Sequence, residues 1–329
     1  MGYDELKNEP WTWLYFKNLC KDEVSLHKDK NELYFVKDEV PLFTQLIFTW
    51  NAHRPKKGHF AFWVQARDSQ TKKWDIWHHM MDWGINIQRS YKKNGEFTEY
   101  HHVRLEVKNS QLADAFRIKI VAHDNASLGH IKTFSVATSN FQVFKPEIID
   151  QQILALPSVH VEKVPATSQF QLDHYKADSL CSPTSCTILT SFLTQHKVDP
   201  IEFAESCYDN GLGVYGSWPF NMAHAFEICE GEISFFTARL NSFVRLHQRL
   251  ALGIPVVVSV RGHLQGQASP YRYGHLLVVV GYDAKKKEVI VHDPAFKTDK
   301  ATIHRYQLKG FMQAWERSHR LAYLAQGVA

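Results

Sequence analysis

The chain of 329 residues is short of several things, and each shortage excludes something. It has only five cysteines, at positions 20, 181, 186, 207 and 229, with no Cys-x-x-Cys pair. No disulfide framework is therefore expected, and an odd count points to reduced thiols with at least one left for chemistry. Glycine (16) and proline (12) are sparse, so no tract looks disordered or of low complexity. No apolar run approaches the roughly 18 residues that a membrane span needs. The first residues, MGYDELKNEP, carry acidic side chains where a secretory signal would be basic. Gly2 does not make a myristoylation site, because position 6 is Leu where that motif wants Ser or Thr. A cytoplasmic protein, or one exported without a visible signal, is expected.

The net charge of +4 is spread along the chain instead of being massed in one block, which argues against a nucleic-acid partner. The Gly-Leu-Gly at 211–213 has no strand before it and helix after it, so no phosphate loop is implied. No cofactor is expected. The pairs His78–His79 and His101–His102 do not chelate a metal by themselves, because adjacent strand residues point to opposite faces. They read as surface histidines, and no metal site is assigned.

What is present falls into two halves. Residues 1–150 alternate with a period of two. Phe60, Phe62, Val64 and Ala66 share one face, as do Val103, Leu105 and Val107, and Phe116, Ile118 and Ile120. With LYFV (33–36) and LFTQLIFTW (42–50), and with turns at PKKG, KKNG and HDNAS, these runs predict an all-β sandwich. Seven of the nine tryptophans lie in this half. Packing explains most of them, since aromatics are ordinary strand residues. An aromatic platform for a peptide or glycan ligand is the alternative. The segment Lys145–Pro165, with its prolines, reads as the connection to a second domain, 151–329.

From Gln169 onward helices come first and strands later. Helices are expected over 183–197, 200–206, 219–229 and 241–252, then strands over 255–262, 274–283, 288–294 and 302–306. A closing helix (308–318) and a last strand (321–326) follow.

A thiol attacks a carbonyl only as thiolate, so a catalytic cysteine needs a lowered pKa and a base. Cys181 precedes the Pro183 that opens an apolar helix, where the partial positive charge of the helix start favours the anion. Cys186 falls among apolar neighbours inside that helix and reads as packing. His275 opens a strongly apolar strand and can face a cleft. Asp293, at the end of the next strand, can orient it if 274–293 forms a hairpin turning at AKKK. Asp283 is the other acid at hand, but it sits at the far end of the histidine's own strand. The order Cys, His, Asp, each on a suitable element, favours chemistry over a buried structural histidine. Trp218 and Asn221 can line a groove or pack beneath the helix.

These residues also resemble a known family. CSPTS (181–185), GVYGSWPFNMAHA (213–225), GIPVVVSVRG (253–262), GHLLVVVGYD (274–283), VHDPA (291–295) and RYQLKGFMQAW (305–315) are similar to the bacteriocin-leader-processing (double-glycine) cysteine peptidases, and more closely to their stand-alone relatives in the papain-like superfamily. The resemblance covers most of 165–326. It implies an α+β fold, a helical lobe with an antiparallel β lobe, preceded here by the sandwich. It implies Cys181 as nucleophile, His275 as general base and acid, and Asp293 as orienter. The family's oxyanion glutamine precedes the cysteine by about half a dozen residues. Gln169 stands twelve upstream of Cys181, with Gln171 as its rival.

A peptidase acting on a peptide or protein substrate through an acyl-enzyme is thus expected. The alternatives are a transglutaminase, deamidase or acyltransferase on the same site, and a non-catalytic binding protein with a vestigial triad.

Overall fold

The computed structural model describes residues 11–19, 25–27, 31–266 and 270–327. Gly2 and Cys20 lie outside the described residues. The chain is a mixture of helices and antiparallel sheets and divides into two compact units. The first comprises residues 1–144 and 208–236, and the second residues 145–207 and 237–327.

The first unit holds two six-stranded sheets. One runs in the order Thr12–Asn18, Ile131–Ser139, Gln45–Ala52, Arg104–Val107, Thr98–His101, Lys93–Asn94. The other runs Ser25–His27, Glu32–Lys37, Ala113–His123, His59–Asp68, His78–Gly84, Gln88–Ser90. Alternation decides which side chains go inward. Phe60, Phe62, Val64 and Ala66 are buried, whereas Trp63 and Arg67 on the same strand are only half-buried. Rings from the two sheets meet: Phe48 and Trp50 lie 5.4 and 4.3 Å from Phe62, and Phe35 lies 5.4 Å from Phe134. Each such fully buried side chain contributes roughly 1.5–3 kcal/mol.

Trp11, Trp50 and Trp83 are core residues. On the other face, Trp63 stacks on His79 at 4.2 Å and Lys119 lies 5.1 Å from its centre, while Arg117 lies 3.7 Å over Trp74. Those rings are partnered by their own neighbours. The histidine pairs depart from expectation at one position. His78 is fully buried, not at the surface, because alternation that turns His79 outward turns His78 in. Its Nε2 lies 2.8 Å from Thr98 Oγ1, which donates to Asp75 at 2.6 Å.

Residues 208–236 join this unit although they are remote from it in sequence. Asp209 is their anchor, accepting from the Ser90 N–H at 2.8 Å, the Ser90 hydroxyl at 2.6 Å and the Ser217 hydroxyl at 2.5 Å. A Cβ at Gly211 would come within 1.9 Å of the Ser90 carbonyl oxygen, so only glycine fits there. Asn51 pairs with both backbone groups of Phe235, and Phe220 packs edge-on to Trp50 at 5.7 Å.

The second unit is built on a sheet in the order Leu321–Gly327, Val256–Gly262, Tyr271–Asp283, Glu288–His292, Ile303–Gln307, with residues 237–239, the end of the strand Ile233–Arg239, beside Leu321–Gly327. Val159–His160 also pairs with Tyr271–Asp283. The strand Ile233–Arg239 breaks the expected order of helices before strands, since it lies between the helices Trp218–Ile228 and Phe243–Ala251. The segment from Lys145 is not a bare tether. The Val161 N–H bonds the Val280 carbonyl at 2.8 Å, and the Pro165 carbonyl meets His292 Nδ1 at 2.8 Å. Among the described residues no helix is long and apolar enough to cross a membrane.

Candidate active site

The helix Cys181–Thr194 begins at the cysteine itself, two residues earlier than Pro183 suggests. It is buried continuously from Ser182 to Thr190, so it runs through the core and does not lie across it. Most of its small polar residues make this tolerable by finding partners, Thr184 being the exception. Thr187 and Thr190 bond carbonyls one turn back at 2.9 Å each, and the Ser182 hydroxyl lies 2.9 Å from Tyr323 Oη. Ser185 donates to the Leu276 carbonyl at 3.0 Å, which keys the first turn of the helix to the strand carrying His275.

That strand, Tyr271–Asp283, turns through residues 284–287 into Glu288–His292, with Asp283 opposite Glu288. The hairpin delivers Asp293 to the histidine. His275 Nε2 lies 2.6 Å from Asp293 Oδ1, and both residues are buried. Asp283 takes no part, for it binds the N–H groups of Lys285 and Lys286 at the turn.

Cys181 is half-buried, with a hydrogen bond to His275 and another from the Leu276 N–H. Burial alone would push its thiol up, but those bonds and the imidazolium charge hold it below the ordinary thiol range. His275 shows the mirror image. Burial would lower it, yet the Asp293 charge, their hydrogen bond and the thiol raise it well above the usual imidazole range. Asp293 is kept low against its own burial by His275, by Tyr306 and by the Ala295 N–H. Cys186 lies deep in the helix, where burial pushes its thiol far up.

Gln169 is buried, in a short 3-10 turn. Its N–H bonds the Pro294 carbonyl at 2.9 Å, beside Asp293, and its Nε2 donates to the Ala177 carbonyl at 2.9 Å, on the loop entering the helix. An amide nitrogen carries two donors, so one remains for another acceptor. Gln171 is exposed and turned away, its Oε1 accepting from the Asp299 N–H at 2.9 Å. Asn221 is fully buried and holds the Tyr215 and Ser217 carbonyls at 2.9 and 3.0 Å, so it braces the backbone of the first unit.

Two residues escaped the sequence reading. Tyr306 and Tyr271 both donate to Asp293 Oδ2, at 2.6 and 3.1 Å. Tyr271 lies four residues before His275 on the same strand, which begins three residues earlier than the expected 274–283. One group among the described residues has metal-like spacing: Glu99, His101 and Glu106, with ligand atoms within 4.8 Å of one another. Arg104 Nε bonds Glu106, so the group is a surface ion cluster with its own cation.

Residues 161–323 match the model of the Peptidase_C39 like family. No curated protein matches the chain. Among solved structures, a C39-like peptidase from Bacillus anthracis is similar at 18% identity and a TM-score of 0.39, covering 52% of this chain and 100% of its own. Xylellain, a cysteine protease from Xylella fastidiosa, is similar at 12% identity and a TM-score of 0.29, covering 56% of this chain and 91% of its own. The match to the Peptidase_C39 like family thus falls on the stretch of chain that carries the motifs around Cys181, His275 and Asp293.

Proposed function

We propose that the protein hydrolyses peptide bonds through an acyl-enzyme on Cys181, in a second unit of papain-like arrangement preceded by a β-sandwich. The observation that carries this reading is the continuous line from the Cys181 thiol through His275 to Asp293, in which thiol and imidazole are shifted toward an ion pair. The thiolate attacks the carbonyl carbon, a C–S bond forms, and the electron pair moves to the oxygen. The Cys181 N–H and the second Nε2 hydrogen of Gln169 receive that oxyanion. The imidazolium passes its Nδ1 proton to the leaving amine as the C–N bond breaks. Water then gives a proton to His275 and attacks the thioester, and the C–S bond breaks to restore the thiolate. Asp293 stays ionised throughout and keeps the ring aimed.

The test is mass-spectrometric mapping of new peptide termini after a protein mixture is incubated with the wild type and with Cys181→Ala, with and without an added amine. New amino termini that need Cys181 support hydrolysis. Amine incorporation without new termini would replace hydrolysis by acyl transfer, and no product in either arm would favour the non-catalytic reading.

A further inference from the structure

Four hydrogen bonds converge on Asp293. Oδ1 takes His275 Nε2 at 2.6 Å and the Ala295 N–H at 3.0 Å, and Oδ2 takes Tyr306 at 2.6 Å and Tyr271 at 3.1 Å. A carboxylate held on both oxygens from separate elements has no freedom to rotate. Tyr271 does more, since its ring lies parallel to the imidazole, 4.0 Å away and inclined by 14°.

The backbone is shaped for this stack. Val260 pairs with His275 and Gly262 with Tyr271, so four residues of one strand run opposite two of the other. Gly274 sits in that bulge at φ 96°, a conformation L side chains rarely adopt. The bulge brings Tyr271 over His275 and leaves Tyr273 standing 95% exposed.

We propose that Tyr271 and Tyr306 are positioning residues: they fix Asp293, and through it the tautomer and aim of His275, while the Tyr271 ring keeps water from the His275–Asp293 bond. This rests on the reading of Cys181 and His275 as the reacting pair. Burial and the Asp293 charge hold the Tyr271 phenol far above its ordinary range, so it stays a donor at every working pH. The groups facing the imidazole are Cys181, Asp293 and Tyr271. Tyr306 faces the carboxylate, and the His304 ring lies 4.7 Å from that of Tyr306.

The two roles move His275 in opposite directions. Removing a phenol donor leaves the Asp293 charge less dispersed, so the imidazolium is held more strongly. Removing the ring admits water, which screens the attraction and weakens the hold. The experiment follows iodoacetamide labelling of Cys181 and peptidase kcat/KM against pH in the wild type, Tyr271→Phe, Tyr306→Phe and Tyr271→Ala. Both Phe variants are expected to move the alkaline inflection up by roughly half a unit to one unit, with Tyr271→Ala moving it down. A structural role would lower yield or stability and leave the inflection in place. Should Tyr306→Phe fail to fold, the Tyr271 pair decides by the sign of its two shifts. Phe variants with the wild-type inflection overturn the proposal. A wild type with no low-pH labelling limb overturns the reacting pair itself, a result separable from the first.

Discussion

His275 Nε2 lies 2.6 Å from Asp293 Oδ1, which leaves Nδ1 as the ring nitrogen that meets the Cys181 thiol. The tautomer is therefore set from behind, by an acceptor that is itself fully engaged. On the proposed reading Cys181→Ala and His275→Ala each remove a reacting group, and each is expected to lower turnover by about four orders of magnitude or more. Cys186→Ala and Cys207→Ala should keep activity. Peptide turnover, with circular dichroism as the folding control, checks this, and an active Cys181→Ala protein contradicts the assignment.

The pH profile should be a bell. The Cys181 thiol is lowered, so its thiolate forms below the ordinary thiol range and activity rises there. His275 is raised, so its proton is kept above the ordinary imidazole range and activity falls only as that proton is lost. The apparent values belong to the coupled pair. Asp293→Asn removes the charge that holds the proton, so the alkaline limb should move to lower pH and kcat should fall, less than in the Cys181 and His275 variants. Measured kcat/KM across pH for the two proteins tests the sign.

Gln169→Ala removes a donor placed between the Pro294 carbonyl and the entry to the helix Cys181–Thr194. The loss expected for an oxyanion donor is about 10²–10³ in kcat with KM little changed. Gln171→Ala, at the exposed Asp299 contact, should leave kcat unaltered. Equal behaviour of the two variants in steady-state kinetics would remove Gln169 from the mechanism.

Burial lowers His78 to about 4. Above its unfolded value of 6.5 neither state binds this proton, and stability is unaffected. As pH falls toward 4, the unfolded chain takes a proton that the folded chain refuses, so stability is lost over that window. The loss amounts to about 2 kcal/mol by pH 5. His78→Gln, which can still bond Thr98, should flatten that dependence. Urea unfolding at pH 7.5 and pH 5 of both proteins measures it.

Residues 208–236 fold with residues 11–144, so a cut near 145 separates Phe220 from Trp50 and Asp209 from Ser90. A fragment 145–329 should therefore unfold at lower temperature and bind a hydrophobic dye, while the whole chain does not. Calorimetry of the fragment against the full protein decides it.

Much of this protein was legible in the residues. The runs at 60–66 and 116–120 became strands with the expected inner faces, because alternation is a property of the extended backbone itself, whereas Val103 lies in the turn before Arg104–Val107 and Gln45–Ala52 is buried on both faces. Pro200 and the Asp199 cap set the helix Pro200–Ser206, and the AKKK turn set the hairpin that carries His275 toward Asp293. These are local matters of dihedral preference, capping and spacing. Tertiary structure alone decided the rest. His78 went inward because its strand had to present one face to a core. Ile233–Arg239 (ISFFTAR) mixes apolar and polar residues with neither a helical nor a strand period, and only sheet pairing assigned it. Residues 208–236 left their sequence neighbours for the partners of Asp209 and Asn51. Tyr271 and Tyr306 reached Asp293 across a bulge and a neighbouring strand, and contacts between residues distant along the chain leave no period in the sequence to announce them.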